Sequence, residues 1–258
     1  MHDDVFEHFL DEGLIERVLR PLKSGKEASV HLCRANTRTT GERLAALKVY
    51  HPLDRRDFRD ESLYRDGEYI KERRIRVALE KRTRFGREVQ GGIWVGREWE
   101  ALRTLSNAGV PVPRPIEATD RAILMSYIGD DEEPAPQLHR YRTGNRLEVE
   151  DLLEQCLSAI EQMLFVDVVH GDLSPFNLLV WDGRITVIDL PQAVDAKKNR
   201  HAEELLRRDV RRVCEHFARA GVARDAEGIT RDLWTAWTFA DLVPRELLGA
   251  FEIPPDGV

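Results

Sequence analysis

With 258 residues, 42% of them hydrophobic and 33% charged, the chain can bury a core and keep a well-charged surface. A formal net charge of −7 excludes coating of nucleic acid or anionic membrane by the molecule as a whole. Cys33, Cys156 and Cys214 are odd in number and far apart, which excludes a disulfide framework or cysteine zinc site and suits a reducing, cytoplasmic setting.

The first residues, MHDDVFEHFLDEG, are acidic and lack the basic-then-apolar order of a signal peptide. Residues 3–12 are expected to form a short helix stopped at Gly13. No apolar run reaches the roughly 18 residues that span a bilayer, so no membrane partner is expected. LIERVLRPL, SVHLCRA and ERLAALKVYH read as three strands of an antiparallel meander. Gly25 breaks the first pair and Thr39-Thr40-Gly41 the second.

Residues 54–90 carry 12 Lys/Arg against 9 Asp/Glu and few aliphatics. They read as a charged insert, mobile or surface-helical, and as a surface for RNA or a ribosomal particle if it is not simply solvated. WVGREWEALRTLSN, residues 94–107, has apolar groups at helical spacing. Asn107-Ala108-Gly109 can cap that helix, and PVPRP prevents its continuation. AILMSYI, residues 122–128, reads as a continuous apolar strand, and the acidic, Pro-rich GDDEEPAPQ, residues 129–137, as a hinge. Residues 147–165 form a helix with apolar groups at 149, 152, 153, 156, 157, 160, 163 and 164. Further helices are expected near 200–220 and 226–240. Mostly strands followed by mostly helices gives an α+β fold in two lobes, 1–128 and 129–258.

The chemistry concentrates in HGDLSPFNLLVWDGRITVIDL, residues 170–190. Asp172 and Asn177 flank a turn that Pro175 stiffens. Two short strands then meet at Asp182-Gly183, a strong hairpin signal, which returns Asp189 toward Asn177. One carboxylate and one amide oxygen, both hard ligands, suit Mg²⁺ completed by water and phosphate oxygens. Asp172, ahead of that pair, stands where a group receiving a hydroxyl proton is needed. The arrangement resembles the catalytic loop and metal-binding Asp of the eukaryotic-type kinase fold. Asp, Asn and Gly are also ordinary turn residues, so the hairpin-spaced Asp189 is what lifts the pattern above a polar turn.

Lys48 in LAALKVY matches the position of a phosphate-anchoring strand Lys, with Ala46 two residues before it. Its expected partner is Glu98, because Leu102 follows one turn later on the same face; Glu100 is the alternative. SGKEASV, residues 24–30, departs from the glycine-rich kinase loop in having one glycine. Ser24, Gly25 and backbone N–H groups could contact phosphate and Lys26 adds charge, although the stretch alone reads as a β-turn.

With SGKEASV, ALKVY, LMSYIG, HGDLSPFNLLV and VIDLPQAVD in one order, the chain resembles the RIO family of atypical serine protein kinases, over roughly residues 14–220. The insert's FRDESLYRDGEY adds to the match. The resemblance is nearest to the branch lacking a winged-helix domain. It implies a bilobal kinase-like fold with a truncated helical lobe, and an ATP- and Mg²⁺-dependent enzyme (Mn²⁺ as a substitute) that phosphorylates a protein serine or threonine, or itself. It implies Asp172 and Lys48 as catalytic residues and Asn177 and Asp189 as metal ligands. Ser24, Lys26 and Glu27 would form the phosphate loop. Met125 would back the adenine pocket, with the backbone of Ser126 and Ile128 meeting the purine and Val30, Ala46, Leu179 and Ile188 enclosing the ring. Asp189-Leu190-Pro191 stands where DFG would, and family members without an activation loop act in some cases as ATPase switches through a phospho-aspartate. The alternatives are a small-molecule phosphotransferase of the aminoglycoside or choline kinase type, which shares the catalytic loop, and an ATP-dependent ribosome- or RNA-binding switch.

Overall fold

The computed structural model describes residues 3–51 and 84–242. Helix α1 (Asp3–Asp11) leads into strands β1 (Ile15–Ser24), β2 (Ala28–Ala35) and β3 (Leu44–Tyr50). A short helix α2 (Thr37–Thr40) sits between β2 and β3. The break expected at Thr39-Thr40-Gly41 is therefore a helical turn, because the Asn36 side chain accepts the Arg38 N–H at 3.1 Å and caps it.

Helix α3 (Arg84–Asn107) begins ten residues before the expected start at 94. The charged insert expected over 54–90 lies outside the described residues except for the opening of this helix. Strand β4 (Pro115–Ala118) was not legible in the sequence. PVPRP does end the helix, but its last proline opens a strand that pairs with β5 (Ala122–Ser126). That strand is two residues shorter than AILMSYI suggests. The sheet runs β1-β2-β3-β5-β4, antiparallel throughout.

Strand periodicity divides β3 between two cores. Ala45, Leu47 and Val49 join Val5 and Phe9 of α1 on one face. The alternate face carries Ala46, Lys48 and Tyr50, and Tyr50 packs into the core that includes Val95, Leu102 and Leu105 of α3.

Gly129 opens the hinge loop with φ 140; a Cβ there would lie 2.5 Å from Glu133 O, so only glycine fits. Helix α4 (Arg146–Phe165) buries Leu152, Leu153, Cys156, Ile160, Met163 and Leu164. Beyond it, β6 (Val168–Val169) pairs with β9 (Val194–Asp195), and β7 (Leu178–Trp181) with β8 (Arg184–Val187). The β7–β8 turn has positive φ at both Asp182 (49°) and Gly183 (69°), as a two-residue hairpin requires. Gln155 of α4 clamps that hairpin, donating to Gly183 O at 2.8 Å and accepting from Ile185 N at 3.0 Å. Helices α5 (Ala202–Arg219) and α6 (Ala226–Leu242) complete the helical half. All three cysteines are buried and free. No helix among the described residues is long and apolar enough to cross a membrane.

Candidate active site

Lys48 points from the inner face of the sheet toward α3, where a buried stripe of Trp94, Val95, Glu98, Leu102 and Leu105 repeats at helical spacing. Glu98 is the one polar member. Its Oε1 and Oε2 lie 2.8 and 2.9 Å from Lys48 Nζ. Glu100 faces outward and pairs with Arg103 at 3.6 Å instead. Lys48 also reaches Asp189 Oδ1 at 2.7 Å, across 141 positions of sequence. Burial opposes the charge on Lys48, yet the two carboxylates hold its pKa above the ordinary lysine value. Burial likewise opposes Asp189, but Lys48 holds that carboxyl below the usual carboxylate range.

Asp189 arrives there by the β7–β8 hairpin. Leu178 pairs with Val187, and Ile188 N–H donates to Asn177 O at 3.0 Å. Asp189 itself takes φ 70, a conformation that disfavours most side chains and that Asp tolerates. Across the loop, Asn177 Nδ2 donates to Asp172 O at 3.0 Å. That bond turns the amide nitrogen into the loop and leaves the Asn177 oxygen, a hard ligand, on the opposite side. Asp172 Oδ1 meets Arg212 Nη1 at 2.7 Å.

The pocket residues divide into those the structure gathers and those it spends elsewhere. In register, Val30 lies opposite Lys48 and Ala46 opposite Met125. Leu179 bridges to Gln137 at the end of the hinge, and Ile188 is next to Asp189. Ser126 N–H is committed to Arg114 O at 2.9 Å, and Ile128 O accepts from Ala135 N at 3.0 Å. Ile128 N–H donates to none of the described residues. The loop of Ser24, Gly25, Lys26 and Glu27 is a tight hairpin in which Gly25 N–H is used by Ala28 O at 2.9 Å. Its backbone is thus no glycine-rich phosphate cradle, and Lys26 is its one cation.

A family model described as the RIO domain matches residues 31–229. The chain belongs to the RIO family. This RIO domain is 30% identical over 220 residues to the RIO-type serine/threonine-protein kinase Rio1 of Haloferax volcanii, covering 85% of this chain and 70% of that protein. It is 32% identical over 225 residues to the serine/threonine-protein kinase RIO1 of Chaetomium thermophilum, covering 83% of this chain but only 42% of that one. Among solved structures it resembles the Rio2 kinase–ADP/Mg²⁺–phosphoaspartate complex from Chaetomium thermophilum, with a TM-score of 0.65 and 18% identity over 96% of this chain and 72% of that chain. The shared fold is the bilobal α+β kinase-like architecture expected from the order of elements.

Three residues of α5 that hold the loop of Asp172 were missed in the sequence. Asp209 of α5 is buried, and its Oδ2 and Oδ1 accept the N–H groups of Gly171 and Leu173 at 2.8 and 2.9 Å. Burial pushes its carboxyl up to about 7, against the two hydrogen bonds. Its neighbour Arg208 donates to Gly171 O. Arg212, one turn on, holds the Asp172 carboxylate. The legible signal was an acid in the middle of the apolar stripe Ala202, Leu205, Leu206, Val210, Val213. His170 secures the other side of the loop. Its Nε2 faces Ile188 O at 3.1 Å and its Nδ1 accepts Asp172 N–H at 3.3 Å. One nitrogen donating and one accepting defines a neutral ring. Burial accordingly lowers its pKa.

For a divalent cation, the donor set is one carboxylate, Asp189, and one amide oxygen, Asn177. Among the described residues no three His, Cys, Asp or Glu side chains cluster. Two hard oxygens completed by phosphate and water are how Mg²⁺ is usually held, so the residues present fit that ion.

Proposed function

We propose that this RIO domain is an ATP- and magnesium-dependent serine/threonine protein kinase that transfers the γ-phosphoryl group to a protein hydroxyl, its own included. The observation that carries the reading is Lys48 held at 2.7–2.9 Å by both Glu98 and Asp189, with Asp189 next to Ile188, whose N–H donates to Asn177 O. A paired ammonium, a carboxylate–amide ligand pair and a separate carboxylate are the parts that phosphoryl transfer needs.

In this reading Glu98 fixes Lys48, whose ammonium binds oxygens of the α- and β-phosphates. Val30, Ala46, Met125, Leu179 and Ile188 enclose the adenine, and Ile128 N–H donates to it. Asn177 and Asp189 would hold Mg²⁺, which supplies charge neutralisation at the phosphates. Asp172 orients the acceptor hydroxyl in line with the γ-phosphorus and takes its proton. The bond from phosphorus to acceptor oxygen forms as the bond to the β–γ bridging oxygen breaks, and ADP leaves. Positioning and electrostatic stabilisation supply most of the rate gain. Lys23 and Lys26, at the tip of β1, add positive charge where a glycine-rich backbone is missing.

The test is incubation of the purified protein with γ-labelled ATP and Mg²⁺, with products mapped by mass spectrometry. Acid-stable label on serine or threonine, lost in Asp172→Ala, is the expected result. Acid-labile label confined to Asp189 would instead assign the ATPase switch. Labelled metabolite with no labelled protein would assign the small-molecule phosphotransferase. No Mg²⁺-dependent turnover of ATP would end the reading.

A further inference from the structure

His139 is seated on the loop that carries Asp172. Its N–H donates to Pro175 O at 3.0 Å, and its ring lies 4.1 Å from that of Phe176. Phe176 is 55% exposed, and a partner that covered it would gain up to about 2 kcal/mol. It stands one residue before Asn177 and four after Asp172, so a segment that brings a hydroxyl to Asp172 passes beside it.

Cations border this ring pair. Arg140 Nε donates to His139 Nε2 at 3.2 Å. Arg142 Nη1 donates to the carbonyls of His139 and Tyr141, both at 2.8 Å. Neither guanidinium, nor the Lys23 ammonium, pairs with a carboxylate among the described residues, whereas Arg43, Arg114, Arg146, Arg207 and Arg224 all do. Arg212 holds Asp172 at 2.7 Å, and His216 follows one turn along α5 on the same face. Burial, then the charges of Arg140, Lys23 and Arg142, lower the pKa of His139. Burial, Arg219, Arg142 and His139 do the same for His216. The charges that act most strongly on both rings are thus positive, on a chain of net charge −7.

We propose that the acceptor hydroxyl is carried on an acidic polypeptide segment, with an apolar residue beside it, seated on Phe176 and His139 between Arg140 and Arg142. This rests on the phosphotransfer reading above and names its substrate class. A single-stranded nucleic acid would need a series of aromatic faces and a basic groove. This surface offers one exposed aromatic ring, and the net charge opposes a long polyanion.

The test is fluorescence anisotropy with two labelled serine peptides of one length, flanked by Asp/Glu or by Lys and each with a leucine next to the serine, and with a single-stranded RNA of matched charge. The acidic peptide should bind at least about tenfold more tightly than the basic one, a margin set by several exposed charges acting together. Arg140→Glu with Arg142→Glu should reverse that order, and Phe176→Ala should weaken both peptides. Thermal melting identifies a variant that fails to fold; Arg142→Gln, a milder change, should then narrow the preference. Equal affinity for the two peptides, or tighter binding of the RNA than of the acidic peptide, overturns the proposal. ATP affinity measured on the same protein separates the two ideas. Loss of ATP binding condemns the phosphotransfer reading, and intact ATP binding with no peptide preference condemns only the acidic acceptor.

Discussion

Arg212 Nη1 lies 2.7 Å from Asp172 Oδ1, so helix α5 holds the carboxylate that the proposed reaction turns on. The contacts come from little more than one turn of that helix: Asp209 grips the loop backbone, Arg208 a loop carbonyl and Arg212 the Asp172 side chain. The loop's conformation is therefore set from a segment that follows it in sequence by some forty residues.

Replacing Asp172 by Ala should lower phosphoryl transfer by about 10²–10⁴-fold, the range for a positioned general base, while ATP affinity stays near that of the wild type. Arg212→Ala should lower kcat less than Asp172→Ala does, because it loosens the carboxylate without removing it. Steady-state kinetics beside nucleotide titration checks both. Equal losses from the two variants would mean that Arg212 does more than hold Asp172.

Lys48 and Glu98 are both largely buried. Lys48→Met strips Glu98 of its partner and should destabilise the fold by about 3 kcal/mol, the usual cost of orphaning a buried charge. Adding Glu98→Gln to it should recover part of that loss. Urea unfolding of the two variants decides the matter. A single variant as stable as the wild type would show that Glu98 finds other support.

Asp209→Ala leaves the amides of Gly171 and Leu173 without acceptors in a buried place. The expected cost is about 2–3 kcal/mol for the pair, with a fall in kcat although Asp209 touches no substrate. Amide hydrogen exchange at Gly171 and Leu173 is the direct readout, and it should quicken relative to the rest of the loop. Unchanged protection at those two amides would contradict the assigned role.

His170 gives a pH dependence of definite sign. Burial holds its folded pKa below the ordinary 6.5, so the unfolded chain takes up the proton first as pH falls. Its contribution to stability is fully present above 6.5 and is lost as pH falls from there through the lower folded value. The stability advantage of the wild type over His170→Gln should accordingly shrink between about pH 8 and about pH 5.5. Denaturant unfolding at the two pH values measures it, and a constant difference would mean that the ring is already charged in the fold.

Much of the architecture was readable before the coordinates. Apolar spacing alone located a helix over 147–165, observed as Arg146–Phe165, and the Asp182-Gly183 pair fixed the hairpin because few sequences tolerate two consecutive positive φ values. Strand β4 was hidden, since Pro115 looks like an end and becomes a strand only when β5 is there to pair with it. Residues 54–83 lie outside the described residues, and with them most of the segment expected to offer a surface to RNA or a ribosomal particle.

The site itself divides in the same way. Local order placed Asp172, Asn177 and Asp189, because a turn and a hairpin are short-range events that twenty residues specify. The third strand with Ala46 two residues before singled out Lys48, and Leu102 one turn later on the same face singled out Glu98. No local rule could reveal that these groups meet, since Lys48 and Asp189 are 141 positions apart and are joined only when sheet and helices pack. Asp209 and Arg212 are the same lesson in the other direction. On their own helix they are one acid in an apolar stripe and one basic residue among several. Packing against the loop is what makes the first an anchor for two amides and the second a clasp on Asp172.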